Sequence, residues 1–272
     1  MSLLEKKVQI TADALVILRA DKELMDSYEL KDPFAHHFVT EQGKKMMQLA
    51  CETDSSYIPF NLLRYKWFGD KTEVLLEKFS QILILGAGYD CRLLDLALKT
   101  KNSSFFEVDL AGTLESKWKI LLENGISKPK NIYSISSNLE NPKLLELLLS
   151  SGFISEKPSL VLLEGVFFFL KPAVSKLILD PKTFRLASES VLLFDFWEKR
   201  RVMWLNSKLQ ERLGTRLFHA AFDDASEMQS YLNKSGYKEN IVTPVDELSL
   251  KTKADFVAEF KNSWFVVEAH LK

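Results

Sequence analysis

A chain of 272 residues with 46% hydrophobic content has room for one large, well-cored unit carrying an elaboration. Its 36 basic and 37 acidic residues leave a formal net charge of -1, which gives no electrostatic footprint for nucleic acid or an anionic membrane. Two cysteines, Cys51 and Cys91, form no Cys-x-x-Cys pair, so a disulfide scaffold is excluded, and with four histidines they supply no zinc spacing.

The N-terminal stretch has charges on both sides of a short apolar run and no small-residue cleavage site, so no signal peptide is expected. The longest apolar run, residues 160–170, is interrupted by Glu164 and is too short to span a bilayer, which points to a cytoplasmic protein. Apolar periodicity predicts a helix over residues 5–29. Asp32-Pro33 marks a stop and restart, and Phe34, Phe38, Met46 and Leu49 suggest one or two short helices after it. Asp70 followed by Glu73 resembles a capping box and predicts a helix that starts there and ends near Phe79. Arg64, just before it, reads by itself as a surface arginine. No strand pattern precedes Gln81. Residues 1–80 are therefore expected to form a helical extension on or over a sheet, with Tyr57, Tyr65 and Trp67 as candidate lid aromatics, and residues 81–272 one compact unit.

The chain turns to chemistry at Gln81. The apolar run Ile82-Leu83-Ile84-Leu85 stops at Gly86-Ala87-Gly88, a helical pattern follows, and a second apolar run ends on Asp109. Strand, glycine turn, helix, strand and acid make half of a nucleotide-binding unit. The glycines admit a close ligand, Asp90 is placed to cap the helix, and Asp109 stands where ribose hydroxyls are held. The same pattern also fits a tight turn that binds nothing.

Helix and strand then alternate: a helix over 114–122, a strand over 131–136, a helix opened by Asn141-Pro142, a strand over 159–164, a helix opened by Lys171-Pro172 and a strand over 191–196. Residues 200–214 read as a charged surface helix. Asp224 and Glu227 open a helix that stops at Gly236, and strands over 237–243 and 264–271 close the chain, with an antiparallel edge pair as one option. This alternation argues for a mainly parallel sheet covered on both faces. Its polar strand ends, Gly86 to Asp90, Asp109, Ser137-Asn138 and Glu164, would converge on one crevice if the strands are neighbours.

Four ordered blocks carry a more specific likeness. Asp32-Pro33-Phe34-Ala35-His36-His37-Phe38-Val39, Leu85-Gly86-Ala87-Gly88-Tyr89-Asp90-Cys91-Arg92, Phe106-Glu107-Val108-Asp109 and Glu164-Gly165-Val166 with Phe169-Leu170 resemble motifs of the leucine carboxyl methyltransferase family. That family lies within the class I S-adenosylmethionine-dependent methyltransferases and includes a bacterial O-methyltransferase branch. The resemblance covers about two-thirds of the chain. It implies a Rossmann-like α/β fold with a seven-stranded sheet and S-adenosyl-L-methionine as cofactor.

Carried over, Gly86, Ala87 and Gly88 would lie under its methionine part with Asp90 beside them. Asp109 with Leu110 would hold the ribose, Asn138-Leu139 would meet the adenine, and Glu164 would face the amino-acid end or the substrate mouth. Arg64 matches an arginine near the cofactor carboxylate, where a guanidinium fixes orientation, and Arg19-Ala20 resembles the Arg-Ala pair of the bacterial members, which adds Arg19 to the implied cofactor contacts. The chain departs from the pattern at Cys91, which replaces Thr, at Asn138, which replaces Asp, and at Phe168-Phe169.

The implied activity is O-methyl transfer to a carboxylate or hydroxyl of a small molecule or a protein C-terminus. A carboxylate needs no general base; a phenol would, and His36, His37 and His219 are the candidates, so no catalytic residue is assigned. Glu164-Gly165-Val166-Phe167 stands where nucleic-acid N-methyltransferases carry Asn/Asp-Pro-Pro-Tyr/Phe. A nicotinamide oxidoreductase would need a fuller glycine motif and a Tyr-x-x-x-Lys, and neither is present. A non-enzymatic cofactor-binding protein is the other reading.

Overall fold

The computed structural model describes residues 3–100, 102–249 and 261–272. Seven strands form one sheet: β1 (Gln81–Leu85), β2 (Ser104–Asp109), β3 (Ile132–Ser136), β4 (Leu160–Leu163), β5 (Val191–Trp197), β6 (Tyr237–Pro244) and β7 (Trp264–Leu271). Their order is β3-β2-β1-β4-β5-β7-β6. Strands β1 to β5 run parallel, and β7 lies antiparallel between β5 and β6. The expected mainly parallel seven-stranded sheet is present. Its switch point lies beside β1, where β2 and β4 flank it, so the carboxyl ends of β1, β2 and β4 open on one crevice.

Every residue of β1, β4 and β5 is buried, as expected for strands covered on both faces. Alternation along each strand sends one set of side chains to each side. Ile82, Ile84, Phe105, Leu160 and Leu162 join one core. That core includes α4 (Tyr57–Leu76) through Phe60, Leu63 and Phe68, and α5 (Arg92–Lys99) through Leu93 and Leu96. Leu83, Leu85, Phe106, Val161 and Leu163 join the other. There they meet α7 (Leu144–Ser150), α8 (Pro172–Leu179) and α10 (Ala225–Ser235). Each such fully buried side chain contributes roughly 1.5–3 kcal/mol.

The remaining helices are α1 (Leu3–Ala20), α2 (Lys22–Ser27), α3 (Glu41–Thr53), α6 (Ala111–Glu123) and α9 (Lys199–Leu213). Three expectations need correction. The helix predicted over 5–29 is broken at Asp21, whose carboxylate accepts the Leu24 N–H at 3.1 Å and starts α2. Asp70 starts nothing: α4 runs through it because Phe68, Thr72 and Leu75 continue the buried face beyond Leu63, and exposed Asp70 pairs with Lys66 at 3.5 Å. Helix α9 is not merely a surface helix, since Arg201, Val202 and Leu205 are buried. Among the described residues, no helix is long and apolar enough to cross a membrane.

Candidate active site

The turn after β1 needs glycine for two separate reasons. Gly86 and Gly88 have φ of 76° and 50°, the left-handed region that side chains disfavour. A Cβ on Gly86 would also sit 2.3 Å from Val166 Cγ2. Gly86 and Ala87 both donate their N–H to Val108 O, at 2.8 and 3.1 Å. Gly88 N–H donates to Asp109 Oδ2 at 2.7 Å, and Leu110 N–H donates to Asp109 Oδ1 at 2.7 Å. One carboxylate thus ties the glycine turn to the start of α6. Burial pushes the Asp109 carboxyl up, and the two N–H groups pull against that.

Beneath the turn lies an ion pair that the sequence reading missed. Lys117 Nζ is 2.7 Å from Glu107 Oε2 and donates to Asp90 O at 2.5 Å. Glu107 also accepts from Ser134 Oγ at 2.5 Å and from Trp118 Nε1. Both charges are buried, Lys117 at 2% and Glu107 at 1% exposure, so each depends on the other. A signal was available: Lys117 falls on the buried stripe of α6 with Leu114 and Leu121, spaced three and four residues apart.

The facing wall is a chain of arginines and carboxylates. Arg19 Nη2 donates to Tyr89 O at 3.1 Å, and Nη1 lies 3.6 Å from Asp32 and 3.9 Å from Asp90. Arg92 Nη2 lies 3.7 Å from Asp90 Oδ2 and 2.9 Å from Glu164 Oε2, the latter off the hydrogen-bonding line. Asp90 Oδ1 also accepts the Arg92 N–H at 2.8 Å, but the N-cap of α5 is Cys91, so Asp90 stands one residue before the capping position expected of it. Burial pushes the Asp90 carboxyl up, but Arg92, Arg19 and that N–H overcome it and hold the group below its usual value. Buried Arg19 Nε and Arg92 Nη1 have no hydrogen-bond partner among the described residues.

Arg64 is not the surface residue that its local sequence suggests. It is buried, donates from Nε to Glu164 Oε1 at 3.1 Å, and lies 3.5 Å from Asp195 Oδ2. Asp195, fully buried, also accepts the Gly165 N–H at 2.6 Å and Trp264 Nε1–H at 2.8 Å. A Cβ on Gly165, whose φ is 69°, would come within 3.1 Å of the Arg64 guanidinium. The glycine after Glu164 therefore makes room for the arginine that holds Glu164.

The glycine turn, Asp90, Asp109, Glu164 and the three arginines Arg19, Arg64 and Arg92 border one cavity of about 600 Å³, within the range of ligand sites. Every residue singled out for cofactor contact borders it: Arg19, Arg64, Gly86, Ala87, Gly88, Asp90, Asp109, Leu110, Asn138, Leu139 and Glu164. Asn138 serves its turn as well, since its Oδ1 accepts the Glu140 N–H at 2.9 Å. Of the lid candidates, Tyr57 and Tyr65 are in the wall and Trp67 is not among its lining residues. The candidate bases His36, His37 and His219 are likewise not among the described lining residues. The sequence reading named no residue on α3 or α9 for the wall, and Met46, Leu49, Arg201, Leu205, Leu209 and Leu213 come from there.

The model of the leucine carboxyl methyltransferase family matches residues 12–182. Comparison with curated proteins finds no matching sequence. Among solved structures, the chain is similar to a provisionally assigned methyltransferase from Thermobifida fusca, with a TM-score of 0.68 and 16% identity over 97% of this chain and 94% of that one. It is also similar to a DUF574 family protein from Streptomyces avermitilis, with a TM-score of 0.66 and 12% identity over 94% and 97% of the two chains. These likenesses support the fold, while the family match covers the glycine turn, the Asp109 strand end and Glu164 together. The chain belongs to the leucine carboxyl methyltransferase family and is an S-adenosyl-L-methionine-dependent methyltransferase.

Proposed function

We propose that the protein transfers the methyl group to an acceptor oxygen, a carboxylate in preference to a hydroxyl, on a small molecule or a protein C-terminus. The observation that carries this is the composition of the cavity wall. Its described lining holds no histidine, lysine or cysteine. Burial pushes the Tyr57 and Tyr65 phenols up, so neither serves as a base near neutral pH. Asp54, Asp90, Asp109, Glu140 and Glu164 are engaged by basic side chains or backbone N–H groups. A carboxylate acceptor, already ionised, suits such a wall.

The residues present fit the cofactor. The cradle at Gly86 excludes a side chain, and the unpartnered Arg19 Nε and Arg92 Nη1 suit its anionic end. Bound S-adenosyl-L-methionine supplies a methyl group activated on a sulfonium, so transfer forms one C–O bond and breaks one C–S bond, whose electron pair stays on sulfur. In this reading Gly86, Ala87 and Gly88 lie under the methionine part, with Arg92, Arg19 and Asp90 around its carboxylate and amine. Asp109 and Leu110 take the ribose, and Asn138 and Leu139 the adenine. Arg64 positions Glu164 at the mouth between the cofactor and acceptor regions. Helices α1 to α4, three of which lend residues to the wall, act as a cover that excludes water. The balanced charge and the Glu164-Gly165-Val166-Phe167 segment favour such acceptors over nucleic acid.

The test is transfer of labelled methyl from S-adenosyl-L-methionine to panels of carboxylic acids, phenols, amines and thiols. Label in base-stable amine or thioether products alone would contradict oxygen transfer.

A further inference from the structure

We propose that the acceptor is an elongated apolar monocarboxylic acid whose chain lies in a slot between α3 and α9. This rests on the reading of carboxylate transfer and goes beyond it by naming the acceptor's body. Leu205, Leu209 and Leu213 recur every fourth residue along α9 and so share one face, and all three border the cavity. Exposure rises along that face, from 7% at Leu205 to 49% at Leu213, as for a wall running from interior to rim. Met46, Leu49 and Ala50 of α3 border the same space. At its inner end Phe168 stacks on Trp197 with ring centroids 3.6 Å apart, and Trp264 stands edge-on to Trp197 at 5.3 Å.

Asp54 and Asn61 in this part of the wall are already satisfied, and Trp197 Nε1 is a buried donor at the slot's inner end that has no hydrogen-bond partner among the described residues. Asp54 accepts from Ser56 N at 2.9 Å, from Ser56 Oγ at 2.5 Å and from Arg201 Nη2 at 2.5 Å. Asn61 Nδ2 donates to Tyr57 O at 2.7 Å. A peptide tail brings an amide N–H and C=O with every residue, and burying these unpaired is costly; a hydrocarbon chain brings none. The Arg201–Asp54 pair ties α9 to the end of α3, and Arg212 Nη2 donates to Glu52 O at 3.0 Å nearer the rim. These two ties hold the slot's walls at a set spacing. Leu209, midway along it, is the residue that would set acceptor length.

The experiment is a chain-length series from butanoic to dodecanoic acid, with a leucine-ended peptide and an alkylphenol beside it. Methyl transfer is measured at saturating S-adenosyl-L-methionine, and acceptor binding by tryptophan fluorescence in the presence of S-adenosylhomocysteine, since Trp197 and Trp264 border the cavity. Expected are quenching by decanoic acid and a kcat/KM that rises about tenfold for each pair of methylenes buried. Leu209→Phe should move the optimum to shorter acids with S-adenosylhomocysteine affinity unchanged, which also shows that the variant is folded. A flat length series, decanoic acid that fails to quench or quenches without being methylated, or an unmoved optimum in folded Leu209→Phe overturns the proposal. Transfer to the peptide or the phenol instead overturns it while oxygen transfer stands; transfer to amines or thiols alone sinks both.

Discussion

Arg64 and Glu164, one hundred residues apart in sequence, meet at 3.1 Å, so the helix α4 that precedes the sheet is pinned to the carboxyl end of β4. Arg64 also lies 3.5 Å from fully buried Asp195. One guanidinium thus serves two acids from different strands, in a place that water barely reaches. Replacing it leaves Asp195 without its cation and Glu164 with Arg92 alone. Arg64→Met is expected to lower unfolding free energy by about 3–5 kcal/mol, the cost of breaking a buried pair. Urea unfolding of the parent and the variant checks this; a loss near zero would mean that the acids find water.

The pair beneath the glycine turn gives a related prediction with a built-in control. Lys117→Met strands Glu107 in the core and is expected to cost about 3–5 kcal/mol. Removing Glu107 as well should restore part of that loss, because a paired apolar replacement leaves no buried charge. The restoration stays incomplete, since Ser134 and Trp118 lose their acceptor. A double-mutant cycle in denaturant measures the coupling. Strict additivity would show that the two charges do not depend on one another.

Asp109→Ala removes the acceptor of the Gly88 and Leu110 N–H groups together with the assigned ribose partner. S-adenosylhomocysteine binding is expected to weaken by about 1–3 kcal/mol, as for loss of a charged hydrogen-bond partner. Calorimetric titration of the folded variant reads this directly, and unchanged affinity would remove Asp109 from the ribose assignment.

Asp13 gives a pH dependence whose sign is fixed. Burial pushes its carboxyl from 3.8 up to about 6, so the folded chain holds a proton that the unfolded chain has released across that window. Stability from this group is therefore full below about pH 4 and falls as pH rises through 6. Asp13→Asn should match the parent at pH 4 and melt at a higher temperature at pH 7. Equal melting temperatures at both pH values would show that Asp13 stays ionised in the fold.

Local pattern made the sheet and the polar strand ends that border the cavity legible. The mostly apolar runs at β1, β4 and β5 read as strands buried on both faces, and the polar residues ending β1, β2 and β4 meet because those strands are neighbours. What stayed hidden depends on long-range partners. Arg64 looks exposed beside Tyr65 and is buried only because Glu164 and Asp195 arrive from distant strands. Asp70 and Glu73 carry a capping signal, yet the buried face of α4 continues through them and overrides it. Helix α9 has enough charge to read as surface; its leucine stripe becomes a wall only when α3 is brought opposite. The apolar end of the cavity carried no local motif for the same reason, since its residues come from separate helices.

The most direct test of the site as a whole is calorimetric titration of the parent protein with S-adenosylhomocysteine and, side by side, with NAD. The glycine turn, the Asp109 carboxylate and the unpartnered arginine nitrogens predict saturable binding of S-adenosylhomocysteine at one site per chain and no heat of binding from NAD. Saturable binding of NAD without S-adenosylhomocysteine would contradict the assignment of this cavity.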